Sequence, residues 1–170
     1  AVCVQTPSYP SARPSSATAS TTVTNTSPTP SSTPTATSDE AKITAQIEAY
    51  NDFANRAITD PSVSVNEAAR YLTDVEPDFV MTAVGQQILK FRADGYKQTG
   101  GGVIAVVSVT PASAGAYKAR TCSDQSQVVV TNAKGQRVDT GPAHAAAEYT
   151  MNKGVDAIWR IAKIQGVGTC

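Results

Sequence analysis

The sequence predicts an α+β fold in which N-terminal helices pack on a curved antiparallel sheet. Up to about residue 95, apolar side chains recur every three to four positions, which indicates helices. From residue 103 onward, apolar side chains tend to recur at every second position, which indicates strands. Gly- and Asn-containing turns separate these strands. Helices followed by hairpin-connected strands are typical of an α+β domain with the helices on one face of the sheet.

A Ser/Thr/Pro-rich tail precedes this domain, and the composition changes just before Ser38-Asp39-Glu40. Residues 1–38 contain one charged residue, Arg13, and one aromatic residue, Tyr9. Such a segment has too little apolar surface to offset its chain entropy, so we predict a disordered tether over residues 1–38 and a folded domain over residues 39–170. The tether is either an unmodified spacer or an O-glycosylated stalk.

Three helices are predicted at the start of the domain. The first begins at Ser38-Asp39-Glu40, where a capping side chain and acidic residues suit the positive end of a helix, and it ends at Asp60-Pro61. A short second helix is expected over residues 65–71. The third is expected to begin at Glu76-Pro77, because proline suits a first helical turn, and to end at Gly95. The inward-facing residues of the first helix are Ile43, Ile47, Tyr50, Ala54, Ala57 and Ile58.

The strands follow in order, separated by turns. Alternation indicates strands over residues 103–109, 116–122, 127–131, 143–153 and 155–164. Residues 132–135 form a hairpin turn with Gly135 where a positive φ is needed. Residues 100–102, three glycines, lack the lysine and the following helix of a phosphate-binding loop, so a bulge or strand bend is the better interpretation.

Composition excludes several functional classes. The formal net charge is zero, which argues against nucleic acid as a partner because phosphate binding needs a concentrated basic patch. No apolar run is long enough to cross a bilayer. With three cysteines and one histidine, none in a metal-binding spacing, we expect no metal site and no cofactor. The chain begins with Ala rather than Met, so we expect that a processed segment once preceded it.

The folded part resembles the nuclear-transport-factor-two-like superfamily, a cone-shaped α+β fold that includes SnoaL-like proteins and ketosteroid isomerases. Within it, the chain is similar to exported actinobacterial proteins, often lipoproteins and sometimes phage-carried, mostly of unknown function. The segments that carry the resemblance are residues 91–100, 119–126 and 128–135, Trp159, and the closing Gly168-Thr169-Cys170. The resemblance covers about residues 40–170, and it implies the fold rather than an activity.

The resemblance also implies roles for the cysteines. In such proteins the mid-domain cysteine pairs with the C-terminal one, which here implies a Cys122–Cys170 disulfide. By the same resemblance Cys3 is a candidate for lipidation, although Val2 stands where a lipobox has a small residue. An acylated Cys3 would anchor the domain on its tether to the outer face of the cell membrane, whereas an unmodified Cys3 leaves a secreted protein with a free thiol near a flexible end.

The remaining polar and aromatic residues are better explained by structural roles than by catalysis. His144 has no Ser or Cys in a recognisable triad motif, and Asp124 fits a turn. An isomerase of the ketosteroid type needs a carboxylate base and a second acid or a tyrosine in its cone. The candidates are Tyr50, Tyr71 and Tyr149 together with Asp52, Glu148 and Asp156. None falls in a pattern of that family, so we assign no catalytic residue.

The favoured function is therefore a non-catalytic module of the cell envelope, or a secreted one, in which a disulfide-closed cone binds an envelope protein or a small apolar ligand. Tyr50, Tyr71 and Trp159 are the candidates for lining its cavity. Packing in the core is the better interpretation of Tyr50, and Trp159 is expected to anchor the sheet against the helices. The alternatives are a small-molecule enzyme of the SnoaL or ketosteroid-isomerase kind and a structural spacer without a ligand. An enzyme should have a pocket with two convergent ionisable groups. A homodimer is compatible with the fold.

Overall fold

The first helix, α1, comprises Ser38–Thr59 and is the centre of the core. A computed structural model describes residues 38–170, so Cys3 and the predicted tether up to residue 37 lie outside the described part. As predicted, α1 buries one stripe of residues at helical spacing. The fully or almost fully buried members are Ile43, Ile47, Tyr50, Phe53, Ala54, Ala57 and Ile58. A short 3₁₀ helix, Val65–Arg70, follows, with Ser64 as its N-cap.

The second α-helix, α2, comprises Val80–Ala93 and begins later than predicted. Pro77 lies in the preceding turn rather than in the helix, and Phe79 before the first turn has a left-handed backbone, with φ 40°. The first turn is capped from a distance, because Asp74 accepts hydrogen bonds from the Thr82 backbone N–H at 3.0 Å and from the Thr82 hydroxyl at 2.5 Å. A cap eight positions upstream has no local sequence signature, which explains the error.

Two antiparallel sheets follow the helices. The small sheet has the order β1-β4-β5 and the large one the order β2-β3-β6-β7. The strands are β1 Lys97–Thr99, β2 Val103–Pro111, β3 Tyr117–Asp124, β4 Val129–Thr131, β5 Arg137–Val138, β6 His144–Lys153 and β7 Trp159–Gly168. Helices packed on antiparallel sheets confirm the predicted α+β class. The strands β1 and β5 were not predicted, because two or three residues are too few to show alternation.

The large sheet is bent and covers α1 with one face. Its register shifts once between β2 and β3 and twice between β6 and β7, and such bulges bend a strand and increase its twist. On the inner face Ala119, Tyr149, Met151 and Ile161 are buried in the core with α1. This curved sheet with a central helix gives the predicted cone.

The last hairpin differs from the prediction. Residues 154–158 form the turn and β7 begins at Trp159, four residues later than expected. Asp156 organises the turn: it accepts a hydrogen bond from the Ile158 backbone N–H at 3.1 Å and pairs with the Arg160 guanidinium at 2.7 Å. Alternation does not reveal such a turn, because Val155 and Ile158 are apolar yet exposed.

The three glycines connect β1 to β2. Gly100 has φ 73°, and a Cβ there would overlap the carbonyl of Gln127. Asn51 and Asn55 of α1 both donate to the Gly102 carbonyl, at 3.0 and 2.9 Å. The segment is therefore a sharp bend that α1 holds in place.

Candidate functional site

The candidate site is a groove of about 550 Å³ between α1, α2 and the strands β6 and β7. Most of its walls are apolar or aromatic. The apolar and aromatic lining residues are Tyr50, Ala54, Ile58, Val80, Ala83, Val84, Ile88, Phe91, Tyr149 and Ile164. A concave, mainly apolar space with a few polar groups is the usual form of a small-molecule site.

Each wall follows from a regular spacing. Tyr50, Ala54 and Ile58 are four residues apart and therefore lie on one face of α1. On α2 the residues Val80, Val84, Ile88 and Phe91 are three or four residues apart and also lie on one face. The small side chain of Ala83 and the glycine Gly166 of β7 leave space between the walls.

The charged side chains at the groove are already paired. Asp78, which precedes α2, contacts Lys163 of β7 at 3.1 Å, with side-chain exposures of 35% and 42%. Lys90 of α2 contacts Asp94 at 2.7 Å, and this hydrogen bond raises the pKa of Lys90. A pair as exposed as Asp78–Lys163 contributes about 1 kcal/mol at most, so a ligand can displace it at little cost.

Two amides supply the remaining polar groups. Gln86 and Gln87 of α2 line the groove, and their side chains make no hydrogen bond with any residue in the range 38–170. Each amide offers a donor and an acceptor. They are the groups by which the groove can orient a polar end of an otherwise apolar ligand.

The predicted cavity residues are not brought together. Tyr50 lines the groove, whereas Tyr71 and Trp159 are not among its lining residues. Tyr71 stacks on Phe53 with ring centroids 5.4 Å apart. Trp159 packs edge-on against Tyr117, with centroids 5.1 Å apart, which suits an anchor of the sheet better than a ligand contact.

The candidate carboxylates of an isomerase lie outside the groove. Asp52 is exposed on α1, and Glu148 of β6 pairs with Lys118 of β3 at 2.6 Å. Asp156 is in the last hairpin, where the Arg160 guanidinium lowers its pKa to about 2. Of the tyrosine candidates, Tyr50 and Tyr149 both line the groove.

The cysteines of the domain are joined. A disulfide links Cys122 in β3 to Cys170, with their Cα atoms 5.9 Å apart, as the resemblance implies. Cys170 follows the end of β7, and the bond holds this terminal segment against the sheet, where Ala146 of β6 is in register with both Cys122 and Gly168.

His144 and Asp124 are neighbours on the surface of the sheet. The Nδ1 atom of His144 is 3.9 Å from Asp124, and both side chains are about half exposed, at 55% and 52%. Asp124 accepts from the Ser126 backbone N–H at 2.9 Å, which is the turn role predicted for it and lowers its pKa. Between residues 38 and 170, no group of three His, Cys, Asp or Glu side chains is placed to bind a metal ion.

The residues that give the groove its shape could not be recognised in the sequence. The apolar residues of α2 recur with a helical period in the sequence, but that period does not distinguish a groove wall from a core face. Asp78 and Lys163 are 85 residues apart in the chain and carry no joint sequence signal. The packing of α2 on β7 brings these two side chains into contact.

A solved structure supports the fold. The intermembrane-space region of the chloroplast protein ARC6 superposes with a TM-score of 0.55 at 11% identity, covering 79% of this chain and 100% of that one. At that identity, the likeness concerns the fold alone.

Two further structures overlap with lower scores. A ketosteroid isomerase-like protein from Erwinia carotovora atroseptica has a TM-score of 0.49 at 20% identity, covering 75% of this chain and 93% of that one. A nuclear transport factor 2-like protein from Salmonella enterica has a TM-score of 0.49 at 12% identity, covering 76% and 90%. No protein-family model matches the sequence, and no curated protein matches it either. Within residues 38–170, neither α-helix is long and apolar enough to cross a membrane.

Proposed function

We propose that this protein is a non-catalytic binding module that takes a small apolar ligand into the groove between α1, α2 and β7. The observation that carries the proposal is the groove itself, about 550 Å³ of space with mainly apolar walls. Its charged rim is neutralised by the Asp78–Lys163 pair, and the amides of Gln86 and Gln87 are available to a single polar group of the ligand. Such a lining suits a molecule with a large apolar body.

The affinity expected of such a site is modest. Burying about 200 Å² of apolar ligand surface contributes about 5 kcal/mol, which corresponds to a Kd on the order of 10⁻⁴ M. Loss of ligand freedom weakens this value, and good shape complementarity strengthens it. We therefore expect saturable binding in the micromolar to submillimolar range.

The enzyme alternative has less support from the same geometry. Proton transfer of the isomerase type needs a carboxylate within hydrogen-bond reach of the substrate. Asp52, Glu148 and Asp156 are all outside the groove, and Asp78 at its rim is paired with Lys163. Tyr50 and Tyr149 alone do not form an acid–base pair of that kind.

We further propose that the domain acts outside the cytoplasm, presented on its N-terminal tether. A structural disulfide between Cys122 and Cys170 is typical of oxidising compartments. The Ser/Thr/Pro composition of residues 1–38 suits a spacer, and Cys3 suits lipid attachment at its far end. An envelope protein that meets the exposed end of the cone is a second partner class compatible with this presentation.

Titration with the neutral fluorophore N-phenyl-1-naphthylamine tests the groove. We expect saturable binding by the full chain, and we expect Ala83→Phe to weaken it at least about tenfold by filling the groove. Ala93→Phe is the matched control, because Ala93 is exposed on the last turn of α2 and does not line the groove. Absence of saturable binding, or an equal effect of both variants, would contradict the proposal.

Intact mass spectrometry of the native, membrane-extracted protein tests the location. We expect a mass that includes acyl chains on Cys3 and lacks the two hydrogens of the disulfide. An unmodified polypeptide recovered from the cytoplasm with free thiols would exclude the envelope role and leave the groove proposal standing.

A further inference from the structure

The two edges of the large sheet differ in whether another segment of the chain covers them. The outer edge of β7 is covered by residues 71–73, because the Ile161 N–H donates to Tyr71 at 2.8 Å and the Thr73 N–H donates to Ile161 at 2.9 Å. The opposite edge is β2. No other segment in the described part of the chain pairs with its outer side, so the backbone groups that point away from β3 are exposed to solvent.

The sequence of β2 lacks the features that usually protect such an edge. None of its nine residues, Val103–Pro111, is charged, and Val103 and Val107 are 68% and 64% exposed. Natural edge strands commonly carry charged residues, especially lysine, that prevent pairing with another chain. Here only the bulge between Val106 and Ser108 and the closing Pro111 interrupt the edge.

We propose that β2 is an interaction surface for a second copy of this chain, with the two β2 strands paired antiparallel about a twofold axis. An uncharged strand meets itself without like-charge repulsion, which is the condition for a symmetric contact. Valines on both copies become cross-strand neighbours. The two four-stranded sheets then form one continuous sheet of eight strands.

The charges beside β2 favour this antiparallel orientation. On the exposed face of β3, Arg120 and Lys118 lie next to the Pro111 end of β2. Lys118 is paired with Glu148 of β6, so the net positive charge at this end is that of Arg120, whereas Asp124 lies next to the Val103 end. Antiparallel pairing brings the basic end of one copy towards the acidic end of the other, and parallel pairing brings like charges together. The β3 strands of the two copies are about 14 Å apart, three strand spacings, so these charges select the orientation but contribute little affinity.

The dimer is expected to be weak. One strand pair covers less than the about 800 Å² per partner that is common in stable complexes. The bulge divides the contact into residues 103–106 and 108–111, and Pro111 has no N–H to donate. We therefore expect a Kd in the range of about 0.1–1 mM. No residue of β2 lines the groove, so this proposal is independent of the proposed function.

Sedimentation equilibrium of the full chain, with Cys3→Ser in every variant to exclude intermolecular disulfides, measures this contact from about 10 μM to about 1 mM. We expect a monomer–dimer equilibrium that Val107→Lys weakens at least about tenfold, because lysine at the centre of an edge opposes pairing. Leu89→Lys is the matched control: Leu89 is 51% exposed on α2, and its replacement should leave the equilibrium unchanged. Val107→Thr keeps the β-branched shape and should still dimerise.

Hydrogen exchange separates strand pairing from other contacts. Amides of β2 that point away from β3 should gain protection as the protein concentration rises, while those bonded to β3 are protected throughout. A chain that stays monomeric over the whole range overturns the proposal. A dimer that Val107→Lys leaves intact, or that Leu89→Lys weakens equally, or that forms without new protection in β2, overturns it as well.

Discussion

Removal of the Cys122–Cys170 disulfide is a perturbation whose effect on the free energy of unfolding can be calculated directly from the structure. The two cysteines are 48 positions apart, so the bond closes a loop that runs from within β3 to beyond the end of β7. In the chain-entropy model, a loop of that length restricts the unfolded chain by about 4 kcal/mol at 25 °C. The double variant Cys122→Ala/Cys170→Ala should therefore lose about 4 kcal/mol of unfolding free energy.

The same figure predicts a thermal shift. A folded part of about 130 residues has an unfolding entropy of about 0.27 kcal/mol/K, so the melting temperature should fall by about 15 °C. Urea unfolding of the oxidised protein and of the double variant, both carrying Cys3→Ser, measures the free energy directly. Chemical reduction of the oxidised protein should reproduce the loss without any substitution.

A small loss would refute the reasoning. If the variant and the oxidised protein differ by less than about 1 kcal/mol, the unfolded chain is not restrained by the crosslink as the loop length requires. A change in the dependence of the free energy on urea would instead indicate residual structure in the unfolded state. The two outcomes are distinguished by fitting the slope and the midpoint separately.

Two further predictions concern the ends of α1. Arg92 of α2 donates to three backbone carbonyls at and beyond the C-terminal end of α1, the shortest contact being 2.5 Å, so Arg92→Met should cost about 3 kcal/mol in urea unfolding. The exposed Arg56, also basic and near that end, is the control, and Arg56→Met should cost under about 1 kcal/mol. At the other end of α1, the hydrogen bond from the Trp159 indole N–H, and to a smaller extent Lys153, lowers the pKa of Asp39. The contact therefore stabilises the folded state at pH values above the pKa of Asp39 in the unfolded chain. This stabilisation is lost as the pH falls through the lowered pKa of Asp39 in the folded state. Fluorescence of Trp159, the single tryptophan, should therefore change with a midpoint below 3.8, and Asp39→Asn should abolish that transition; a midpoint above 3.8 would contradict the assignment.

The sequence predicts those parts of the fold that local patterns determine. Helix α1 begins at Ser38 with Asp39 and Glu40 in its first turn, and it ends at Thr59, before Asp60-Pro61, as expected. Gly135 occupies a turn with positive φ, also as expected. These features depend on residues a few positions apart, so their signals are visible in the chain.

The errors occur where side-chain contacts, rather than helical or strand periodicity, determine where an element begins. Helix α2 starts at Val80 because Asp74 caps it from upstream. The last hairpin turns around Asp156, whose carboxylate accepts from the Ile158 N–H and pairs with Arg160. These side-chain contacts do not produce the Asn-Gly pattern by which a tight turn is recognised in a sequence. The groove depends on the distance between α2 and β7, which no periodicity encodes.

The same contacts explain why the groove is open. Helix α1 is fixed to the sheet along its length, by Asp39 with Trp159 at its start and by Asn51 and Asn55 with Gly102 near its middle. Helix α2 is held by polar contacts at its two ends, by Asp74 at the first turn and by Arg92 in the last. Between these points Ile88 is buried in the core, whereas Val84 and Phe91 are only partly buried and border the groove. A helix fixed at both ends can maintain such a space because its backbone hydrogen bonds need no partner from the sheet. The groove therefore lies where α2 packs less closely on the sheet, and its apolar walls are the surface that the proposed ligand would cover.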